Sequence, residues 1–153
     1  MNLRQITQND QLKLKEVYFD SINSIDGKIY NRNQKFAWSS QAWENPNFNE
    51  SLLKGKGWKL SEGNKIIGFA TRFPDNKLSL FYVRGNLCRK GFGTTILDSI
   101  EKEASSSGVK TLETEASLIS YQLLLKRGWE IIRKEKIKIN NFVFERYKMF
   151  KIL

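Results

Sequence analysis

The sequence has no histidine, a single cysteine and two prolines among its 153 residues. Without histidine, an imidazole general base, a Ser–His–Asp triad and a His-ligated zinc site are all excluded. Cys88 has no partner for an internal disulfide, which rules out a disulfide-stapled secreted scaffold. Ten glycines with two prolines are too few for a collagen-like or low-complexity chain. Long apolar runs are missing too. Leu80-Phe81-Tyr82-Val83 and Leu123-Leu124-Leu125 fall far short of the roughly twenty residues that span a bilayer. Met1 to Ile6 lacks the apolar centre of a signal peptide. The expectation is a cytoplasmic chain with no membrane partner.

What the chain does contain is enough for a core. Hydrophobic residues make up 40%, with ten Phe, five Tyr and four Trp. At this length the expectation is one domain covering residues 1–153. Lys and Arg number 26 against 16 Asp and Glu, a net charge of +10, and most of the excess falls after residue 75. A positive half attracts an anion, which is a nucleic acid, a membrane surface or a phosphorylated cofactor. Composition alone does not choose among them.

The hydrophobic period changes along the chain. Leu3 to Thr7 alternates as a first strand, and Asn9-Asp10 caps a helix carrying Leu12, Leu14, Val17, Tyr18, Ile22 and Ile25. Residues 28–55 are polar and aromatic, with short helical pieces punctuated by Pro46. Gly57 to Leu60, Lys65 to Phe73 and Lys77 to Val83 read as three strands of an antiparallel meander, separated by turn residues. Gly91 opens a helix with Phe92, Ile96, Leu97, Ile100 and Ala104 on one stripe, closed by Ser105-Ser106-Ser107-Gly108. Lys110 to Glu115 is a strand, and Ser117 caps a helix that stops at Gly128. Trp129 to Ile139 and Phe142 to Phe150 form a final hairpin turning at Asn140-Asn141. The fold class is α+β, with one mixed, mostly antiparallel central sheet of about seven strands flanked by helices.

The segment Cys88-Arg89-Lys90-Gly91-Phe92-Gly93-Thr94 runs from a strand through basic and glycine residues straight into a helix. Free backbone N–H groups and the positive end of the helix dipole there suit a pyrophosphate. Gly91 and Gly93 permit close main-chain approach, while Arg89 and Lys90 add charge. The loop lacks the Gly-Lys-Ser/Thr ending of a P-loop, and Ile96 stands where the dinucleotide fingerprint needs its third glycine.

Taken with the strand before it, the helix-strand pair after it, Lys126-Arg127-Gly128-Trp129 and the last two strands, this segment resembles the GNAT superfamily of acyl-CoA-dependent N-acyltransferases. The resemblance covers most of the chain, strongest from Leu80 to Met149. It looks closest to a bacterial subgroup sharing Tyr30, Gln34, Ala37-Trp38 and Glu115-Ala116-Ser117. It implies acetyl-CoA as cosubstrate, no metal, and an amine acceptor not identified by the sequence. It also implies a V-shaped split between the strand ending at Val83 and the strand at Leu112 to Glu115. The pantetheine arm would bond the main chain near Phe81 and Val83, with Tyr82 between them, and the pyrophosphate would sit on Cys88 to Thr94, with Ser117 at the start of the last helix. Homodimers are common in the superfamily, and no interface is readable here. The sequence departs from the pattern at Cys88, where Gln or Arg is usual, at Ser117, often Asn, and at Leu124, where a tyrosine is the usual proposed acid.

Acyl transfer to an amine needs a neutral amine, help for the developing oxyanion, and a proton for the thiolate. A carboxylate is the conventional base left in a chain without histidine. Glu113 and Glu115 share a strand face, and Glu115 lies nearer the split; the bland alternative is a solvated or salt-bridged strand carboxylate. Tyr121, one helical turn before Leu124, reaches toward the missing acid's space or simply packs. Tyr82 donates a hydrogen bond to the acyl site or lines its wall. Tyr30, Phe36, Trp38 and Trp43 roof an acceptor pocket or pack a short helix pair. Two alternatives stand behind the enzyme: a CoA-binding domain without catalysis, and a nucleic-acid-binding domain using Arg89-Lys90 and the carboxyl-terminal cations. The second lacks a recognisable base-reading element, and an ordinary solvated strand face would look the same.

Overall fold

The computed structural model describes residues 1–87 and 90–153. Seven strands and six α-helices follow the order β1 (Asn2–Gln5), α1 (Gln11–Asn23), α2 (Arg32–Ser39), α3 (Gln41–Glu44), α4 (Pro46–Lys54), β2 (Lys56–Glu62), β3 (Lys65–Arg72), β4 (Leu78–Val83), α5 (Phe92–Ser106), β5 (Thr111–Ala116), α6 (Tyr121–Lys126), β6 (Glu130–Ile139) and β7 (Phe142–Ile152). The strand count and the α+β class agree with the sequence reading. The expected single sheet, however, is parted in the middle. β1-β2-β3-β4 form one antiparallel sheet and β5-β7-β6 another. A lone parallel bridge between Lys77 and Glu113 joins them.

Local sequence accounts for most element boundaries. Pro46 sits at the first position of α4, where its missing N–H costs nothing, and the Asn45 side chain caps the helix by accepting from Asn47 N at 2.9 Å. Asn140 and Asn141 take φ values of +48° and +69°, the left-handed pair that a two-residue hairpin turn requires. One boundary differs from expectation. The N-cap of α6 is Ser120, not Ser117. Ser117 Oγ instead accepts from the N–H groups of Ile119 and Ser120 at 3.2 and 3.1 Å, which turns the chain out of β5 before the helix begins.

Two cores lie on opposite faces of the four-stranded sheet. The stripe Ile96, Leu97, Ile100 and Ala104 of α5 is fully buried and packs with Ala70, Leu78, Leu112 and Met149. On the other face, Leu14, Val17, Tyr18 and Ile22 of α1 pack with Phe48, Ile66, Phe69 and Leu80. Leu78 and Leu80 would share a face in a regular strand. A bulge at Ser79, where the register slips between Thr71 and Arg72, sends them to different cores. Ser79 Oγ is fixed by Thr71 Oγ1 at 2.9 Å.

Candidate active site

The split between the sheets is clamped at one end and open at the other. At the closed end Glu113 N donates to Asn76 O at 2.9 Å, and the buried Thr114 hydroxyl donates to Leu78 O at 2.7 Å. Lys77 Nζ completes the clamp, lying 2.9 Å from Glu115 Oε1 and 2.8 Å from Oε2. Past this point β4 is the edge strand of its sheet. Arg84 N donates to Ile67 O at 2.9 Å, so the alternation of an antiparallel ladder turns the main-chain groups of Phe81 and Val83 away from β3. This is the side on which an extended ligand would add as a further strand.

A cleft of about 790 Å³ occupies the split. Leu80, Phe81 and Tyr82 from β4, and Glu115, Ala116 and Ser117 around the end of β5, form its floor and sides. Leu124 of α6 lies in the wall, 1% exposed. Tyr121 does not fill the space expected of it. Its ring stacks on Tyr147 at 4.4 Å, and it is not among the residues lining the cleft. Tyr121 and Leu124 are neighbours along the helix, but Tyr121 is spent on packing against β7.

Tyr30 and Trp38 line the cleft with Tyr18 and Phe144. Phe36 and Trp43, expected in the same roof, are instead 71% and 55% exposed. Trp43 lies on the outer surface against Phe19 and Lys15. A four-residue α3 turns its two faces oppositely, burying Ala42 and leaving the tryptophan in water.

Three phenols in or beside the cleft stay protonated at neutral pH. Burial raises the Tyr82 hydroxyl well above the ordinary range for tyrosine, with the Trp38 indole N–H only partly offsetting it. Burial and the neighbouring Tyr82 likewise push Tyr18 up; its hydroxyl donates to Trp38 O at 2.6 Å. Tyr30 is also raised by burial, against the opposing bond from Leu118 N at 3.0 Å. Tyr82 therefore remains a neutral hydrogen-bond donor.

The basic loop leads into α5 beside this cleft. Cys88 and Arg89 lie outside the described residues. Lys90 is exposed, and Gly91 takes φ +84°, the left-handed N-cap of α5. A Cβ at Gly91 would meet nothing within 4 Å, so its glycine is required by conformation rather than by crowding. Gly93 is the crowded one. A Cβ there would lie 3.2 Å from Leu123 Cδ2 and 3.4 Å from the Phe81 ring, so Gly93 lets α5 approach α6 and β4. Phe92, Gly93 and Thr94 form the first turn, whose N–H groups have no partner within the helix and suit an anion. Phe81 connects the two regions, bordering Gly93 on one side and the cleft on the other.

Sequence reading did not foresee Lys77, Thr114, Tyr18 or Phe144 in this site. Lys77 meets Glu115 across 38 residues, a separation that leaves no periodic trace in the sequence. Five of the nine cations after Leu125 (Arg127, Arg133, Lys134, Arg146 and Lys151) are ion-paired within the fold. Pairing of this kind is what an ordinary solvated face shows. Among the described residues, no helix is long and apolar enough to cross a membrane, and no cluster of acidic or cysteine residues could hold a metal.

No curated protein matches the sequence. Solved structures share the fold: a GCN5-related N-acetyltransferase from Rhodopseudomonas palustris is 24% identical, with a TM-score of 0.91 over 99% of this chain and 95% of that one. PaiA N-acetyltransferase from Thermoplasma acidophilum, in complex with coenzyme A, is 18% identical with a TM-score of 0.74 over the whole of both chains. The ribosomal-protein-S18-alanine N-acetyltransferase from Escherichia coli is 14% identical, with a TM-score of 0.72 over 99% and 92%. An acetyltransferase (GNAT) domain matches residues 28–151 in sequence, a span that includes β4, β5, the glycine-led helix and most of the residues lining the cleft. On that match the chain belongs to the GNAT acetyltransferase family.

Proposed function

We propose that residues 1–153 act as one cytoplasmic unit that transfers an acetyl group from acetyl-CoA to an amine by direct attack, with the chemistry centred on the split between β4 and β5. Acetyl transfer from acetyl-CoA comes with the family; the residues that carry it are the proposal. The carrying observation is the outward main-chain edge of β4 at Phe81, whose ring borders Gly93 at the N-terminus of α5 and which also lines the cleft. When bound, acetyl-CoA supplies an activated thioester.

The chain's residues then divide the work. Lys90 and the first-turn N–H groups of Phe92, Gly93 and Thr94 hold the pyrophosphate, with Gly91 setting the turn; Cys88 and Arg89, expected to share this role, lie outside the described residues. The Phe81 and Val83 main chain aligns the pantetheine arm. Glu115, held by Lys77, takes the amine proton through a water, which leaves the nitrogen lone pair free to attack. Tyr82 donates a hydrogen bond toward the charge that develops at the carbonyl oxygen or sulfur, and its raised pKa keeps that donor in place. Ser117 shapes the β5–α6 turn at the rim.

Calorimetry with acetyl-CoA at moderate salt, run beside a short DNA duplex, tests the reading. Micromolar acetyl-CoA binding without comparable DNA binding is expected. Salt-sensitive duplex binding with no acetyl-CoA signal would overturn it.

A further inference from the structure

Resting on that reading, we infer that the acceptor is a small arylalkylamine, neither a polyamine nor a polypeptide terminus. Three features of the cleft's acceptor side carry this.

Its inner wall is aromatic. Trp38 and Tyr82 are half-buried and line the cleft, backed by Tyr18, Tyr30 and Phe144. Their rings meet in edge-on or tilted pairs, with Trp38 5.2 Å from Tyr30, 6.2 Å from Tyr82 and 6.3 Å from Phe144. A further planar ring extends such an arrangement and buries apolar area on both partners.

The wall is also latched shut. Gln34 Nε2 donates to Val143 O at 2.9 Å while its own Oε1 accepts from Asn31 N at 2.9 Å, so the side chain is held at both ends. Asn140 Nδ2 donates to Glu44 Oε2 at 3.2 Å. Beneath these bonds Tyr30 contacts Phe144 at 5.9 Å, and its hydroxyl accepts from Leu118 N. The β6–β7 hairpin is thereby joined to α2 and α3 on this side of the cleft, which leaves less room for an extended polypeptide than for a short amine. A finite body that stops against the wall fits.

Finally, the carboxylates lining the cleft are already engaged. Glu50 pairs with Lys54 at 3.3 Å, Glu115 with Lys77 at 2.8 Å and Glu145 with Lys134 at 3.0 Å. A polyamine carries further ammonium groups, each of which needs an uncommitted anion to offset its loss of water. Glu115 serves the reacting nitrogen, and Glu50 and Glu145, paired as they are, leave no uncommitted carboxylate for a further ammonium.

The test uses the full chain, with acetyl-CoA binding established first by calorimetry so that failure of the cofactor reading shows itself separately. Initial rates of thiol release are then compared for 2-phenylethylamine, tryptamine, spermidine and a short peptide with a free N-terminal alanine. The arylalkylamines are expected to show kcat/KM at least about tenfold above the other two, matching the loss of one buried aromatic contact. Trp38→Ala should raise the KM for 2-phenylethylamine about tenfold with acetyl-CoA affinity unchanged, and Trp38→Phe, which keeps a ring if the alanine variant does not fold, should retain most of the affinity. Peptide or spermidine used as well as the arylalkylamines overturns the inference. So does bound acetyl-CoA with no arylalkylamine turnover.

Discussion

The hydroxyl of Thr114 on β5 donates to the carbonyl of Leu78 on β4 at 2.7 Å, a buried bond between two sheets that share one bridge among the described residues. It sits at the apex of the cleft and sets how far the two strands diverge. Thr114→Val keeps the shape but leaves Leu78 O without this donor in a buried place. A loss of about 1–3 kcal/mol follows, or roughly 5 °C in Tm for a chain of this size. Thermal unfolding of the variant checks it; an unchanged Tm would mean that the Lys77–Glu115 ion pair and the Glu113–Asn76 bond hold the apex without it.

Gly91 separates conformation from binding. Alanine there meets no neighbour but must hold φ +84°, at a cost of about 1–2 kcal/mol. The variant should fold with a slightly lower Tm and bind CoA at least tenfold more weakly, because its methyl group enters the space assigned to the phosphates. Calorimetry showing native affinity in a folded variant would move the pyrophosphate elsewhere.

Glu115 and Tyr82 are distinguished by what each substitution leaves intact. Glu115→Gln should lower kcat by about a hundredfold, the scale of one general base, with acetyl-CoA affinity kept. A rate within twofold of the native enzyme would confine Glu115 to its bond with Lys77. Tyr82→Phe keeps the ring packing and should lower kcat about tenfold. Because burial holds the Tyr82 phenol protonated, the native kcat profile should show no fall from this group up to pH 10.

Asp10 gives a pH dependence away from the site. Burial raises its pKa, but the bond from Lys59 Nζ at 2.6 Å and those from Thr7 N and Oγ1 outweigh burial and hold the carboxyl below the ordinary aspartate value of 3.8. A pKa depressed in the folded state means stability present above the unfolded value and lost as pH falls through the folded one. Asp10→Asn should therefore cost on the order of 1–2 kcal/mol at pH 7. The gap in Tm between the two proteins should close as the pH drops below about 4. A gap that stays constant down to pH 2.5 would show that the carboxylate's charge contributes nothing.

Much of the fold is written locally. The stripe from Phe92 to Ala104 specifies α5 because side chains at helical spacing must share one apolar face. Asn140-Asn141 specifies the last hairpin because asparagine tolerates the left-handed pair of conformations. The basic glycine loop ahead of α5 is legible for the same reason, since an anion site at a helix start is built from consecutive residues.

Tertiary structure alone decided the rest. Whether Glu115 is solvated or paired depends on Lys77, 38 residues away, and whether Tyr121 or Leu124 faces the cleft depends on a stack with Tyr147. The bulge at Ser79, which sends Leu78 and Leu80 to different cores, arises from pairing with β3 and has no signature in β4 itself. Phe36, Trp38 and Trp43 look alike as a sequence; only the docking of α2 against β7, and of α3 against α1, α2 and α4, puts Trp38 in the cleft and leaves the other two exposed. Sequence determines where an apolar face or a turn must form, because those follow from neighbours along the chain. Which side chains meet across the split follows from how two sheets and their helices come together, and that is settled by the packing of the whole molecule.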